Sequence, residues 1–302
     1  MDTQELLRKV RRLEIRTSRF VNDVFAGEYQ STFKGRGMEF AEVREYQPGD
    51  DIRTLDWNVT ARMRRPYVKR HNEERELTVM LMVDTSSSVA FGTQQLKGDL
   101  AAEICALLAF SAIKNNDKVG LILFGDKVEK YVPPKKGRTH VLRIVRDLLE
   151  FLDELEGQLE AGAQRRLTDI SAALEHLNRI TRRHAVVFLL SDFKSAGFET
   201  SLRITHRRHD VIAVTITDPW EKRIPGLGWY LELEDAETGE QFMLNTRDLR
   251  ALGNIAGDVE ESAEALERLF SSMGMDLVNV TTGQSYVEQL SRVFRERAKR
   301  MR

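Results

Sequence analysis

Three features of the sequence predict an α/β fold, a doubly wound and mainly parallel sheet with helices on both faces. Nearly continuous apolar runs recur at 77–83, 118–124, 185–190 and 211–216, as expected of strands covered on both sides. Stretches with helical spacing of apolar residues stand between and around them. Strands that alternate with helices are joined by crossovers, which favour parallel pairing.

In chain order, residues 4 to 22 read as a helix, with Leu6, Leu7, Val10, Leu13, Ile15 and Phe20 near helical spacing and arginines opposite. From about 25 to 76 the chain is irregular and dense in charge, with turn signals at Lys34-Gly35-Arg36-Gly37 and Gln47-Pro48-Gly49-Asp50-Asp51. Alternation in Glu39-Phe40-Ala41-Glu42-Val43 suits a short strand. The turns and mixed charges of residues 25–76 cannot make a separate core of useful size, so residues 1–76 are expected to pack on the α/β domain of residues 77–302. That domain opens with the strand 77–83 and a helix of about 94–115. The strand 118–124 turns at Gly125-Asp126 into 128–132, an antiparallel edge hairpin. A helix of about 139–155, a polar loop to Thr168 and a helix of about 169–181 lead to the strands 185–190 and 211–216. A hairpin around Thr238-Gly239 pairs 229–234 with 241–244. A helix (about 258–272), a strand (275–281) and a terminal helix (284–298) complete the pattern.

Composition narrows the function classes. With 302 residues, 41% hydrophobic and 31% charged, the chain can build a real core under a well-solvated surface. A net charge of −1 provides no global field for nucleic acid or an anionic membrane. The single cysteine, Cys105, lies in an apolar helical run, which excludes an intrachain disulfide framework and a cysteine-based zinc site. The first residues lack the layout of a signal peptide, and no apolar stretch is long enough to span a membrane. The triplets at Asn58 and Asn279 that match a glycosylation pattern are then chance matches. The expected location is the cytoplasm, without direct membrane insertion.

Open α/β sheets bind ligands beyond the carboxyl ends of their strands. The strand 77–83 runs straight into Asp84-Thr85-Ser86-Ser87-Ser88, an Asp-x-Ser-x-Ser stretch. Residues two apart in an extended loop point to one side, so three oxygen-bearing side chains can converge. By itself the pattern is weak, because serines after a strand also form turns and helix caps. Counting chain reversals places two more residues on the same rim: Thr168 in the loop before a descending helix, and Asp192 after the strand 185–190. Taken singly, Thr168 also suits a helix N-cap and Asp192 a turn. Together, Asp84, Ser86, Ser88, Thr168 and Asp192 offer hard oxygen donors suited to Mg²⁺ or Mn²⁺ in octahedral coordination. Neutral hydroxyls next to the ion would leave it electron-poor, favouring an anionic sixth ligand such as a carboxylate from another protein.

These residues, in this order, resemble the metal-ion-dependent adhesion site of von Willebrand factor A domains. The similarity extends upstream, through Phe33-Lys34-Gly35-Arg36-Gly37-Met38-Glu39-Phe40, Val43-Arg44-Glu45-Tyr46-Gln47-Pro48-Gly49-Asp50-Asp51 and Leu55-Asp56-Trp57-Asn58. Those stretches resemble the bacterial family known as domain of unknown function fifty-eight, whose members are usually encoded beside MoxR-type AAA+ ATPases. The resemblance covers roughly residues 5 to 220 and implies a fold of von Willebrand factor A type. It gives Asp84, Ser86 and Ser88 the motif positions, Thr168 the threonine position and Asp192 that of the second aspartate. It also implies an adaptor or co-chaperone that presents a client protein, which supplies the acidic ligand, to a MoxR-type ATPase. Two departures stand out: Arg166-Leu167 precede Thr168 where adhesion domains commonly have glycines, and Phe193 rather than glycine follows Asp192. Both argue against loop movement of the adhesion type.

The alternative is a Mg²⁺-dependent phosphoester or ester hydrolase using the same site. It would need a nearby general base or nucleophile. His184, His206, His209 and His140 are expected at the opposite ends of their elements, His176 in mid-helix and His71 before the core. Ser87 has no evident partner base, and no phosphate-binding glycine loop follows any strand. No catalytic residue is therefore expected. The basic stretch Arg62, Arg64, Arg65, Lys69 and Arg70, with Tyr67 among them, is read as a solvated face or as partner to Glu73, Glu74 and Glu76 rather than a nucleic-acid site. Asp218, also on the rim, reads as a turn aspartate.

Overall fold

The computed structural model describes residues 3–21, 26–33, 42–50, 55, 57–70, 76–234 and 239–300. Its elements are the helices α1 (Thr3–Phe20) and α2 (Ala26–Phe33), strand β1 (Glu42–Glu45), α3 (Trp57–Met63), β2 (Tyr67–Arg70), β3 (Thr78–Asp84), α4 (Lys97–Lys114), β4 (Lys118–Phe124) and β5 (Val128–Lys135). There follow α5 (Arg138–Glu160), α6 (Ile170–Ile180), β6 (Val186–Ser191), α7 (Glu199–Arg208), β7 (Asp210–Thr217) and α8 (Pro219–Lys222). The chain ends with β8 (Tyr230–Glu234), β9 (Gln241–Asn245), α9 (Leu249–Met273), β10 (Asp276–Thr281) and α10 (Tyr286–Arg300).

The main sheet has six strands in the order β10-β7-β6-β3-β4-β5. All neighbours are parallel except the β4–β5 edge hairpin. This is the predicted doubly wound, mainly parallel sheet. Alternation along β3 sorts its side chains between two cores. Val79, Leu81 and Val83 join the core under α1, α4, α5 and α10, whereas Met80 and Met82 join the one under α6, α7 and α9. At Gly120, a Cβ would stand 2.7 Å from Met80 Sδ and 3.0 Å from the Val132 carbonyl oxygen, so β4 can lie this close only as glycine.

Strand order reverses at β3. From it the chain moves outward to β4 and β5, then returns to β6 on the other side and continues to β7 and β10. The gap beyond the ends of β3 and β6 is therefore a topological switch point.

The N-terminal helices lie against the larger core. Leu6, Val10 and Leu13 are buried in it with Tyr29 of α2, while Leu7, Ile15 and Phe20 are exposed. The apolar stripe of α1 is thus narrower than its composition suggests. Arg16 binds Glu103 at 2.6 Å and Lys9 binds Asp99 at 2.7 Å, both on α4. Tyr29 donates to Asp117 at 3.2 Å, and the Asp117 carboxylate also accepts from Leu77 N.

Four of the described helices, α2, α3, α7 and the short α8, were not expected from the sequence. α2 and α3 fall in the region read as irregular, and α7 is the crossover that parallel β6 and β7 require. α9 begins at Leu249, about two and a half turns before the expected start. Of the anticipated strand at 39–43, only residues 42 and 43 lie in β1; the rest lies outside the described residues. Among the described residues, no helix is long and apolar enough to cross a membrane. Cys105 is a free, fully buried thiol whose pKa burial drives upward.

Candidate metal centre

The ends of β3 and β6 and the loop before α6 meet at the switch point. Asp84 is the last residue of β3 and is buried, so its carboxylate must be satisfied by protein donors or a cation. It accepts from Ser86 N at 2.9 Å and from Ser191 Oγ at 2.6 Å. Thr168 Oγ1 lies 3.4 and 3.3 Å from its two oxygens. Ser86 Oγ stands 3.1 Å from Ser88 Oγ, and Asp192 is near enough to act on the Asp84 carboxylate through its charge. Four of the five residues singled out from the sequence are therefore joined by hydrogen bonds in one largely buried cluster, and the fifth, Asp192, acts on it through its charge.

The Thr168 loop is held there by backbone pairing. Ser87 N donates to the Arg166 carbonyl oxygen at 3.1 Å, Arg166 N to Ser87 Oγ at 2.7 Å, and Asp169 N to the Gly125 carbonyl oxygen at 2.8 Å. The cap of α6 is Asp169, whose side chain accepts from Ala172 N at 2.9 Å. That frees Thr168 from the capping role that its position equally suited, and turns its hydroxyl to Asp84. Ser87 is consumed by the Arg166 pairing and has no base beside it.

Phe193 adopts a left-handed backbone, φ 56°, at the place where the adhesion-site resemblance has glycine. Its ring is buried against Phe198 and Phe270, with centroids at 5.8 and 5.2 Å. Packing on α9 thus holds a conformation that a bulky residue rarely takes.

Burial, and then the negative charge of Asp192, push the Asp84 carboxyl up to about 6, against the donors Ser191 and Ser86. Asp192 is also desolvated, but Lys97, Lys194 and the Ser88 hydroxyl outweigh burial and hold it below the usual carboxylate range. Two buried carboxylates repelling one another through a shell of hydroxyls form an environment that a cation relieves. The donor set fits a hard divalent ion. Adjacent ligands of an octahedral Mg²⁺ stand about 3.0 Å apart, given metal–oxygen distances of about 2.1 Å, and the two serine hydroxyls are at 3.1 Å. Among the described residues no three His, Cys, Asp or Glu side chains converge, so a bound ion would have to rely on hydroxyls as well.

Three residues escaped the sequence reading. Ser191 is the closest donor to Asp84. Lys97, the first residue of α4, is buried and bridges Asp192 and Glu221 at 3.3 and 3.1 Å. Glu221 belongs to α8 and also pairs with Lys194 at 2.8 Å. Asp218, expected as a turn residue, is a buried N-cap of α8 with a capping box. It accepts from Thr93 and Trp220, and from Thr282 at 2.6 Å, tying the loop after the serines to the ends of β7 and β10.

The described histidines are elsewhere, and His71 lies outside the described residues. His209 is buried next to the start of β7, and His140 contacts the Val119 carbonyl oxygen at the start of β4. His176 packs edge-on to Tyr131. Of the basic stretch, Arg62, Arg64 and Arg65 are exposed, the solvated face anticipated; Arg65 binds Glu45, whereas Glu76 binds Lys118 and Lys136. Glu73, Glu74 and the side chains of Lys69 and Arg70 lie outside the described residues.

The family described as "Protein of unknown function DUF58" matches residues 42–264. The chain belongs to the DUF58 family. It is 32% identical over 241 residues to an uncharacterized protein of Mycobacterium tuberculosis, covering 79% of this chain and 73% of that one. An uncharacterized protein of Bacillus subtilis is 32% identical over 108 residues, 36% of this chain and 25% of its own length. Among solved structures, this DUF58 chain is similar to an aerotolerance-related membrane protein from Bacteroides fragilis, with 17% identity and a TM-score of 0.40 over 74% of this chain and 100% of that one. It is also similar to the SpRpn10 VWA domain, with 12% identity and a TM-score of 0.37 over 71% of this chain and 94% of that one.

Proposed function

We propose that this DUF58 protein is a cytoplasmic, metal-dependent protein-interaction module and not an enzyme. In this reading it serves as an adaptor or co-chaperone for a MoxR-type AAA+ ATPase. Mg²⁺ or Mn²⁺ would be held by Ser86, Ser88 and Thr168, with Asp84 and Asp192 as anionic support. When bound, the ion supplies Lewis acidity toward an anionic ligand, here a carboxylate of the client protein. The observation that carries the reading is the serine hydroxyl pair, 3.1 Å apart at the switch point, with the buried carboxylates of Asp84 and Asp192 in the same cluster.

The chain's own residues prepare that rim for another protein. Ser191 and the backbone of Ser86 orient Asp84, and the Arg166–Ser87 pairing fixes the Thr168 loop. Phe91 in the segment after β3, Leu167 in the loop before α6 and Trp220 in α8 are exposed apolar side chains on three segments at this end of the sheet. A polar centre rimmed by scattered apolar groups suits a protein contact better than a sealed catalytic pocket. Hydrolysis is less well supported, since Ser87 is occupied by the Arg166 pairing and the described histidines pack elsewhere.

The test compares binding of the purified chain to its ATPase in Mg²⁺ and in chelator, with Ser86→Ala/Ser88→Ala as control. Binding should need the metal and vanish in the double variant. Robust turnover of generic phosphoesters or esters by the isolated chain, with ATPase binding indifferent to chelator, would overturn the adaptor reading in favour of a hydrolase.

A further inference from the structure

Lys97 is an unusual resident of a cation site. Its side chain is 3% exposed, and its ammonium sits between Asp192 Oδ2 at 3.3 Å and Glu221 Oε1 at 3.1 Å. A buried ammonium is tolerated only when paired, and here the pairs come from two other strand ends. Asp192 is thereby shared. Its Oδ2 faces Lys97, and its charge acts on the cluster where the Ser88 hydroxyl, which helps hold the Asp192 pKa down, faces Ser86 at 3.1 Å. The ammonium therefore stands one carboxylate away from the hydroxyl pair.

We infer that Lys97 is a built-in cation that competes with a divalent ion for the charge of Asp192 and keeps the metal affinity of the site low. This rests on the metal reading above. Two cations that share one carboxylate at the effective dielectric of a protein oppose one another's binding by at least about tenfold. Lys194 cannot play the same part. Its side chain is 58% exposed and its ammonium lies 4.0 Å from Asp192, so solvent screens it. Glu221 holds Lys97 from the far side and takes up part of its charge.

A low intrinsic affinity has a functional consequence. A carboxylate brought by a partner adds the negative charge that Lys97 withdraws, so ion and acidic partner bind more tightly together than either does alone. Linkage makes that coupling reciprocal.

The experiment measures Mn²⁺ affinity of the full chain by calorimetry and by electron paramagnetic resonance, without any partner. Lys97→Met removes the charge and keeps the length of the side chain. It should tighten Mn²⁺ binding by about tenfold or more, whereas Lys97→Arg, which keeps the charge, should stay within about threefold of wild type. Lys97→Met leaves Glu221 with a weaker set of partners and could unfold the chain. The double variant Lys97→Met/Glu221→Gln removes both members of the buried pair, keeps the local net charge, and should still bind Mn²⁺ several-fold more tightly. The inference is overturned if neither the single nor the double variant binds Mn²⁺ more tightly than a wild-type chain that does bind it. If no chain binds Mn²⁺ better than the Ser86→Ala/Ser88→Ala control, the metal reading itself fails and this inference with it. Tight binding only after Lys97 is neutralised would support both.

Discussion

Replacing Phe193 separates two opposed effects that the structure places at one residue. The ring is 6% exposed and packs on Phe198 and Phe270, while the backbone is left-handed at φ 56°. Truncating a buried phenylalanine to alanine costs about 3–5 kcal/mol. An alanine there would still carry the left-handed strain of about 1–2 kcal/mol, whereas glycine would not. Glycine at an ordinary position is about 0.5–1 kcal/mol worse than alanine because it has more freedom to lose. Here the order should reverse: Phe193→Ala less stable than wild type by about 3–5 kcal/mol, and Phe193→Gly about 1 kcal/mol better than Phe193→Ala yet still below wild type. Urea denaturation at neutral pH, read from midpoints at a common slope, gives both differences. An alanine variant as stable as the glycine variant, or more so, would refute the left-handed assignment. A glycine variant as stable as wild type would show that the ring contributes nothing by packing on α9. The comparison also bears on the site, because Phe193 follows Asp192 directly.

Other consequences are open to measurement. Ser191→Ala removes the 2.6 Å donor to Asp84 and should weaken Mn²⁺ binding by about 10–100-fold, as loss of such supporting contacts typically does; unchanged affinity would show that Ser191 only fills space. His209 is buried, and burial, then Arg208 and His184, lower its pKa to about 4. The unfolded chain therefore takes up a proton near pH 6.5 that the folded chain refuses until about pH 4, so this residue's contribution is complete above about pH 6.5 and declines by up to about 3 kcal/mol as pH falls to 4. His209→Leu should flatten the fall in urea midpoint between pH 7 and 4.5, and an unaltered slope would contradict the assignment. A chain starting at residue 77 lacks Leu6, Val10, Leu13 and Tyr29, which belong to the larger core. Each of those side chains contributes about 1.5–3 kcal/mol of burial, so the shortened chain should be insoluble or melt well below the full-length protein. A cooperative melt at the full-length temperature would make residues 1–76 an independent appendage.

What the sequence determined by itself is the frame and the ligand candidates. Burial on both faces requires uninterrupted apolar runs, and those runs mark β3, β4, β6 and β7 without any tertiary information. Once strands are parallel, each helix reverses direction, so counting reversals delivers Asp84, Thr168 and Asp192 to one rim. Distance along the chain then matters little: Thr168 lies 84 residues from Asp84 and still reaches its carboxylate. The shorter helices were less legible. α7, Glu-Thr-Ser-Leu-Arg-Ile-Thr-His-Arg-Arg, buries only Leu202 and Thr205, too few for a periodic signal, and its helical state follows from the crossover between β6 and β7. Only the tertiary structure decided how the site is charged. Lys97 follows Leu96 at the start of a helix, where a lysine is ordinarily solvated, and nothing local marks it as buried. Its partners Asp192 and Glu221 are 95 and 124 residues away. Desolvation and pairing depend on what the completed fold brings around a group, and no short stretch of sequence contains that information. The same holds for Ser191 and Phe193, where the orientation of a hydroxyl and the sign of a backbone angle are set by neighbours on other elements.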